Sequence, residues 1–161
     1  MPNIFEYLHQ SGHIGFKEKP FNNLDCLVFT QLVYIKWDSQ VQGVASDGKP
    51  VTLREAGANG LPQEAFAMGI DSKNSEKLFH AAAASVRFGD VALDDYVSLI
   101  DPDKELQFAA ITFRLSDGSA FVSYRGTDET IIGWKEDFNM AFMSPVPAQE
   151  EGAAYLNAVG H

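Results

Sequence analysis

Apolar residues recur at the spacing of helix turns in three segments of the chain. The first segment follows Asn22 and Asn23, whose side chains can cap a helix. The second follows Ser75 as a possible cap and stops at Gly89, and the third begins at Pro147, which suits the first helical position. The predicted inward-facing residues are Leu24, Leu27, Val28, Leu32 and Ile35, then Leu78, Phe79, Ala82, Ala83 and Val86, then Ala148, Gly152, Tyr155, Leu156 and Val159.

Aromatic and β-branched residues in the second half of the chain predict a β-hairpin. Its strands are Phe108–Leu115 and Ala120–Tyr124, and Gly118 stands in the turn between them, where a left-handed residue is needed. Near the N-terminus a short helix is expected at Ile4–Leu8. Residues 38–72 are rich in Gly, Ser, Asp and Pro, so we expect a long connection there with only small elements.

Composition narrows the possible partners and the location. The chain has 161 residues, enough for one domain with a hydrophobic core, and its formal net charge is −10. That acidity argues against nucleic acid and anionic membranes as partners. We see no signal peptide and no apolar run that could span a bilayer, so a cytoplasmic location is expected. No cofactor or metal is expected, because Cys26 is alone and no Glu follows His9 ahead of His13 as in a zinc-protease helix.

The stretch from Phe121 to Phe142 combines a strand, a sharp turn and a helical pattern. The strand stops at Arg125, a glycine follows, and a polar turn leads into apolar residues spaced three to four apart. In an open α/β sheet such a strand-to-helix turn lies at the carboxyl edge, where ligands bind. Arg125 could therefore contact a substrate, although an ion pair with Asp128 or Glu129 is the more common role for such a residue.

Two motifs in this stretch carry a resemblance to known families. Tyr-Arg-Gly-Thr-Asp at 124–128 and Gly-Trp-Lys-Glu-Asp-Phe-Asn-Met at 133–140 resemble the bacterial Mbeg-like family of uncharacterised α/β-hydrolase-like proteins. The aromatic-Arg-Gly-Thr strand end, with an aspartate soon after a tryptophan, also resembles the oxyanion-loop segment of class 3 (fungal-type) lipases. Weaker similarity extends to residues 21–25, 87–90, 107–113 and 146–149, so that the resemblance covers most of the chain.

The resemblance implies a fold and two residue roles. The fold would be α/β, a partial α/β-hydrolase-like three-layer sandwich with N-terminal helices, a β-hairpin and a C-terminal helix, in one incomplete domain over residues 1–161. Thr127 would donate a hydrogen bond to the oxyanion formed in acyl transfer, and Asp137 would orient the Thr127 hydroxyl. Spacing alone favours a different interpretation, in which Thr127 ends a turn and Asp137 is a solvated helix carboxylate.

The sequence contains no nucleophile of the kind that an α/β-hydrolase uses. Such a serine lies in Gly-x-Ser-x-Gly on a strand-to-helix turn, and this pentapeptide does not occur. The histidines before the oxyanion segment are in the wrong order to act as the base. We therefore expect the N-terminal portion of a lipase- or esterase-like serine hydrolase, inactive by itself, whose complete form would cleave a small-molecule or lipid ester.

Two alternatives stay open at this point. The chain could be a non-catalytic interaction module that binds through an exposed sheet edge, or an inactive remnant. The resemblance implies that the strand Ala120–Tyr124 would neighbour the nucleophile strand of a complete hydrolase. A hydrophobic edge left uncovered there is expected to make the isolated chain marginally stable or self-associating.

Overall fold

The structure is a computed structural model that describes residues 3–44, 48–68, 71–104, 106–125 and 145–160. Within these ranges the α-helices are α1 (Ile4–Ser11), α2 (Asn23–Leu32), α3 (Leu53–Asn59), α4 (Ser72–Ala84) and α5 (Pro147–Val159). The strands are β1 (Val51–Thr52), β2 (Ala92–Asp101), β3 (Leu106–Arg114) and β4 (Ala120–Arg125). A 3-10 helix covers Gln63–Phe66, so the connection over residues 38–72 contains three short elements, β1, α3 and this 3-10 helix, as predicted.

A capping box starts α2 at the predicted place. The Asn22 side chain accepts a hydrogen bond from the Leu24 backbone N–H, and the Asp25 carboxylate accepts one from the Asn22 N–H at 2.9 Å. These bonds satisfy backbone donors that have no partner inside the helix. The predicted helix start is therefore confirmed.

The limits predicted for α4 are wrong at both ends. Asp71, not Ser75, caps the helix, because its carboxylate accepts a hydrogen bond from the Asn74 backbone N–H. At the other end the chain leaves the helix at the extended residue Ser85, before the predicted stop at Gly89. The sequence pointed to the wrong N-cap because serine and aspartate are both common N-cap residues and Asp71 lies close to Ser75.

Four of the predicted inward-facing residues point to solvent. The stripe of α2 that is buried consists of Asp25, Val28, Phe29 and Leu32. Leu24 and Leu27 are 46% and 52% exposed. Because Asp25 is fully buried, the face of α2 that packs against the core includes this carboxylate and leaves Leu24 and Leu27 outside. Val86 is 59% exposed and follows the end of α4. Leu156 is 49% exposed and lies on α5, whose only buried residue is Tyr155.

The strands form one antiparallel sheet in the order β1-β2-β3-β4. The predicted hairpin is confirmed as β3 and β4, and Gly118 in its turn has a φ of 87°, a conformation that glycine adopts without steric cost. Strand β2 was not predicted. A β-bulge between Asp94 and Val97 interrupts the alternation of side chains along β2. Asp95 in this bulge has a φ of 54°. Arg114 on β3 donates hydrogen bonds to the carboxylates of both Asp94 and Asp95.

The two faces of the sheet pack against different helices. On the large-core face, Phe113 and Phe121 join a core that also contains residues of α2 and α4. On the α5 face, Phe108 packs with Tyr155 of α5, whose hydroxyl lies 2.8 Å from the Thr112 hydroxyl. Strand β3 is therefore buried on both sides.

The structure thus combines helices on both faces with a four-stranded sheet, which agrees with the α/β class at that coarse level. The sheet is antiparallel throughout the described residues, so the α/β-hydrolase-like sandwich stays a prediction. Among the helices that the structure describes, none has the length and apolar character needed to cross a membrane.

Candidate functional site

The two residues predicted to serve the oxyanion, Thr127 and Asp137, lie outside the described residues. The structure does describe the strand that leads to them. Strand β4 ends at Arg125, two positions before Thr127. The candidate site is therefore built from the end of β4 and from the residues around it.

The register between β3 and β4 determines which residues lie at this strand end. Arg125 is paired with Ala109, and Ser123 is paired with Ile111. All β3 residues from Leu106 to Phe113 are buried. A shift by one residue would move every side chain of β4 to the opposite face of the sheet, so burial on both faces of β3 specifies this register.

Side chains of β4 alternate between the two faces. Phe121 lies on the large-core face, where its ring centroid is 5.4 Å from that of Phe29. Tyr124 lies on the α5 face, where its hydroxyl donates a hydrogen bond of 3.0 Å to the Gly152 carbonyl. Because the period of a strand is two, Ser123 and Arg125 project on the same face as Phe121.

Arg125 is buried without a counter-charge in the described part of the chain. Arg125 is only 5% exposed, and none of its three guanidinium nitrogens has a hydrogen-bond partner among the described residues. The hydroxyl of the neighbouring Ser123, 2% exposed, also has no partner. The predicted ion pair with Asp128 or Glu129 involves residues outside the described ranges, so it stays a prediction.

Tyr96 adds a third polar group on the large-core face. It lies in the bulge of β2 and is 5% exposed. Burial is the main cause that raises the pKa of the Tyr96 hydroxyl; the Asp38 carboxylate raises it further, and the positive charge of Arg125 opposes part of that rise. The hydroxyl lies near the Ser98 side chain and the Trp37 backbone but makes no hydrogen bond of acceptable geometry with either.

A second buried arginine was noted in the sequence only as part of a weak flanking motif. Arg87 is 2% exposed, and its Nε and Nη2 donate to the two carboxylate oxygens of Asp25, each at 2.6 Å. Tyr7 also donates to this carboxylate at 2.7 Å, and burial raises the Tyr7 pKa. This cluster joins the residues around α1, α2 and the end of α4, and the motif segments 21–25 and 87–90 are in contact through it.

The histidines singled out in the sequence are both at the surface. His9 and His13 are exposed, and Cys26 is half-buried. Within the ranges that the structure describes, no three His, Cys, Asp or Glu side chains are grouped so that they could hold a metal ion.

Comparison with known protein families gives a match for the second half of the chain. Residues 82–161 match the family model described as Mbeg1-like, which supports the family name that the motifs suggested. The matched part contains β2, β3, β4 and α5, whereas the flanking segment 21–25 lies outside it. Comparison with curated proteins and with solved structures gives no match.

Proposed function

We propose that this chain is the N-terminal part of a serine hydrolase of the Mbeg1-like family that cleaves carboxylic esters. Thr127 donates a hydrogen bond to the oxyanion, and Asp137 orients the Thr127 hydroxyl. The observation that carries the proposal is the end of β4 at Arg125, directly before the Gly-Thr pair and within the segment that matches the family model. The fold that goes with this function is a partial α/β-hydrolase-like three-layer sandwich.

The chemistry of ester cleavage explains why such a position matters. Attack on an ester places negative charge on the carbonyl oxygen in the transition state, and donors already aimed at that oxygen lower the barrier. In α/β-hydrolases one donor follows the nucleophile and another comes from a loop after an earlier strand. A threonine two residues after a strand with a well-specified register suits the second role, since the strand limits where the loop begins.

The position of β4 in the sheet also supports an incomplete hydrolase domain. Strand β4 is the last in the strand order, and among the described residues it pairs only with β3. A strand that carries the nucleophile could pair with its outer edge. The serine, histidine and acid then belong to a part of the protein beyond residue 161.

The role of Thr127 can be tested in a form of the protein that extends beyond residue 161 and hydrolyses esters. We expect Thr127→Val to lower kcat by at least about tenfold with the fold intact, because a transition-state donor is lost. The measurement is steady-state hydrolysis of a p-nitrophenyl ester, with circular dichroism to verify folding.

Thr130→Val is the matched control, since it makes the same change three positions further along. An unchanged rate in the Thr127 variant, or an equal loss in the Thr130 variant, would contradict the assigned role. Labelling of the 161-residue chain by a fluorophosphonate probe would contradict the absence of the nucleophile.

The outer edge of β4, which pairs with no other strand in the described part of the chain, supports a second candidate function, a non-catalytic module that associates through this edge. Tyr124 on β4 is 39% exposed, and unpaired backbone groups at a sheet edge can bind another strand. We expect the 161-residue chain to sediment as dimers or larger species as its concentration rises. A thermally stable monomer at high concentration would count against this candidate.

A further inference from the structure

The chain contains two buried arginines that differ in one respect. Arg87 has partners for each of its three nitrogens: the Asp25 carboxylate and the carbonyls of Ile14, Lys19 and Pro20. Arg125 is buried almost as deeply, yet no nitrogen of its guanidinium has a partner in the described part of the chain. Burying an ionised group without a counter-charge is costly, and arginine stays protonated in proteins. Arg125 therefore needs an anionic partner that these residues do not supply.

Two buried hydroxyls lie on the same face of the sheet as Arg125. Ser123 lies two residues earlier on the same face of β4, and its hydroxyl is also buried and unpaired within the described residues. Across the sheet, Ala109 pairs with Arg125 on one side and with Ser98 on the other. These three residues form one row on the large-core face, and the small side chain of Ala109 separates Arg125 from Ser98.

The Tyr96 hydroxyl approaches the same region from β2. The charges of Asp38 and Arg125 both act on it, in opposite directions, and it is buried without a hydrogen bond of acceptable geometry. The guanidinium of Arg125 and the hydroxyls of Ser123 and Tyr96 thus lie on the same face of β4 and β2, each without a hydrogen-bond partner among the described residues. No described carboxylate is bonded to Arg125.

We propose that Arg125, together with the hydroxyls of Ser123 and Tyr96, binds a negatively charged group of a ligand, either a carboxylate or a phosphate. The planar guanidinium presents two parallel N–H donors that match two oxygens of such a group. The hydroxyls can each donate one further hydrogen bond to it. This site is independent of the proposed hydrolase activity, since it uses neither Thr127 nor a nucleophile.

Thermal unfolding of the 161-residue chain in increasing sodium phosphate or sodium acetate tests the proposal, with ionic strength held constant by sodium chloride. A ligand that binds only the folded state raises its stability. At ten times the dissociation constant we expect Tm to rise by about 3 to 6 °C for a chain of this size. The anion that gives the larger rise identifies the ligand as a phosphate or a carboxylate.

Variants of the site distinguish specific binding from a general salt effect. Arg125→Met should abolish the rise in Tm, and Ser123→Ala should weaken the affinity about tenfold, since a hydrogen bond to a charged group is lost. Arg54→Met is the matched control and should leave the rise unchanged, because Arg54 pairs with Asp90 at the surface. Without added anion, Arg125→Met should be at least as stable as the wild type, since it removes an unpaired buried charge.

A second readout does not depend on whether Arg125→Met folds. The side-chain Nε–H signal of Arg125 in the NMR spectrum of the wild-type chain should shift with added anion, and that of Arg54 should not. The proposal is overturned if neither anion raises Tm, if the rise persists in the Arg125 variant, or if the Arg125 signal does not move. Each of these results would mean that the partner of Arg125 is internal to the chain, and none of them bears on Thr127.

Discussion

Asp25→Asn should lower the free energy of unfolding by at least about 3 kcal/mol, because it leaves a buried guanidinium without its counter-charge. Asp25 and Arg87 have fully buried side chains and are joined through two short hydrogen bonds. The same carboxylate accepts hydrogen bonds from Tyr7 and from the backbone of Asn22. One substitution therefore weakens the start of α2, the attachment of α1 and the charge balance of the core. Urea denaturation followed by circular dichroism measures the effect.

Asp90→Asn is the matched control for this loss. It removes the same charge from the Arg54–Asp90 pair, whose side chains are 47% and 77% exposed. Exposed pairs contribute about 0 to 1 kcal/mol, so little change is expected. Equal effects of the two substitutions would show that burial of the Asp25–Arg87 pair does not determine its contribution.

A double variant separates the cost of the unpaired charge from the value of the pair. Replacing both members with apolar residues, as in Asp25→Leu with Arg87→Met, removes the unpaired charge as well as the bond. We expect the double variant to recover more than half of the stability that Asp25→Asn loses. A double variant as unstable as the single one would indicate that the hydrogen bonds of Arg87 to the backbone carbonyls are what matters.

The same ion pair shows where interpretation of the sequence failed. An apolar stripe correctly located α2, but it placed Leu24 and Leu27 inside, where the structure has Asp25 and Phe29. Asp25 is buried because it pairs with Arg87, which is 62 positions away in sequence. A periodicity count treats every carboxylate as solvent-facing, so it cannot detect a buried charge with a distant partner.

Strand prediction succeeded where local signals were sufficient. The β3–β4 hairpin was predictable because its strands alternate around a tight turn with Gly118 in a left-handed conformation. Strand β2 was missed because a bulge with two adjacent aspartates interrupts its pattern, and both are paired with Arg114 on the neighbouring strand. Tertiary pairing thus stabilises a strand that local propensity argues against.

For the candidate site, the sequence predicted the end of β4 but not the surroundings of Arg125. The aromatic-Arg-Gly-Thr motif identified a strand end, which the structure confirms at Arg125. That Arg125 is buried beside Ser123 and near Tyr96 depends on the register of three strands. No local pattern carries that information, since an arginine at a strand end is usually solvated.

Phe29→Ala should lower the free energy of unfolding by about 3 to 5 kcal/mol, since it opens a cavity among aromatic rings at the centre of the core. The Phe29 ring is fully buried and stacks on that of Phe113 with centroids 4.4 Å apart. It also contacts Phe88 and Phe121, at 5.5 and 5.4 Å. A single side chain of α2 thus supports β3, β4 and the segment after α4.

Leu27→Ala provides the control on the same helix, because Leu27 is 52% exposed and its truncation should change stability by no more than about 0.5 kcal/mol. The consequence extends to the candidate site, since Phe29 packs on the same face of β4 that carries Ser123 and Arg125. In the Phe29 variant we therefore expect amide hydrogen exchange to accelerate along β4 more than in the capped first turn of α2. Uniform acceleration throughout the chain would mean that Phe29 stabilises the whole fold cooperatively and has no particular part in holding the strand end.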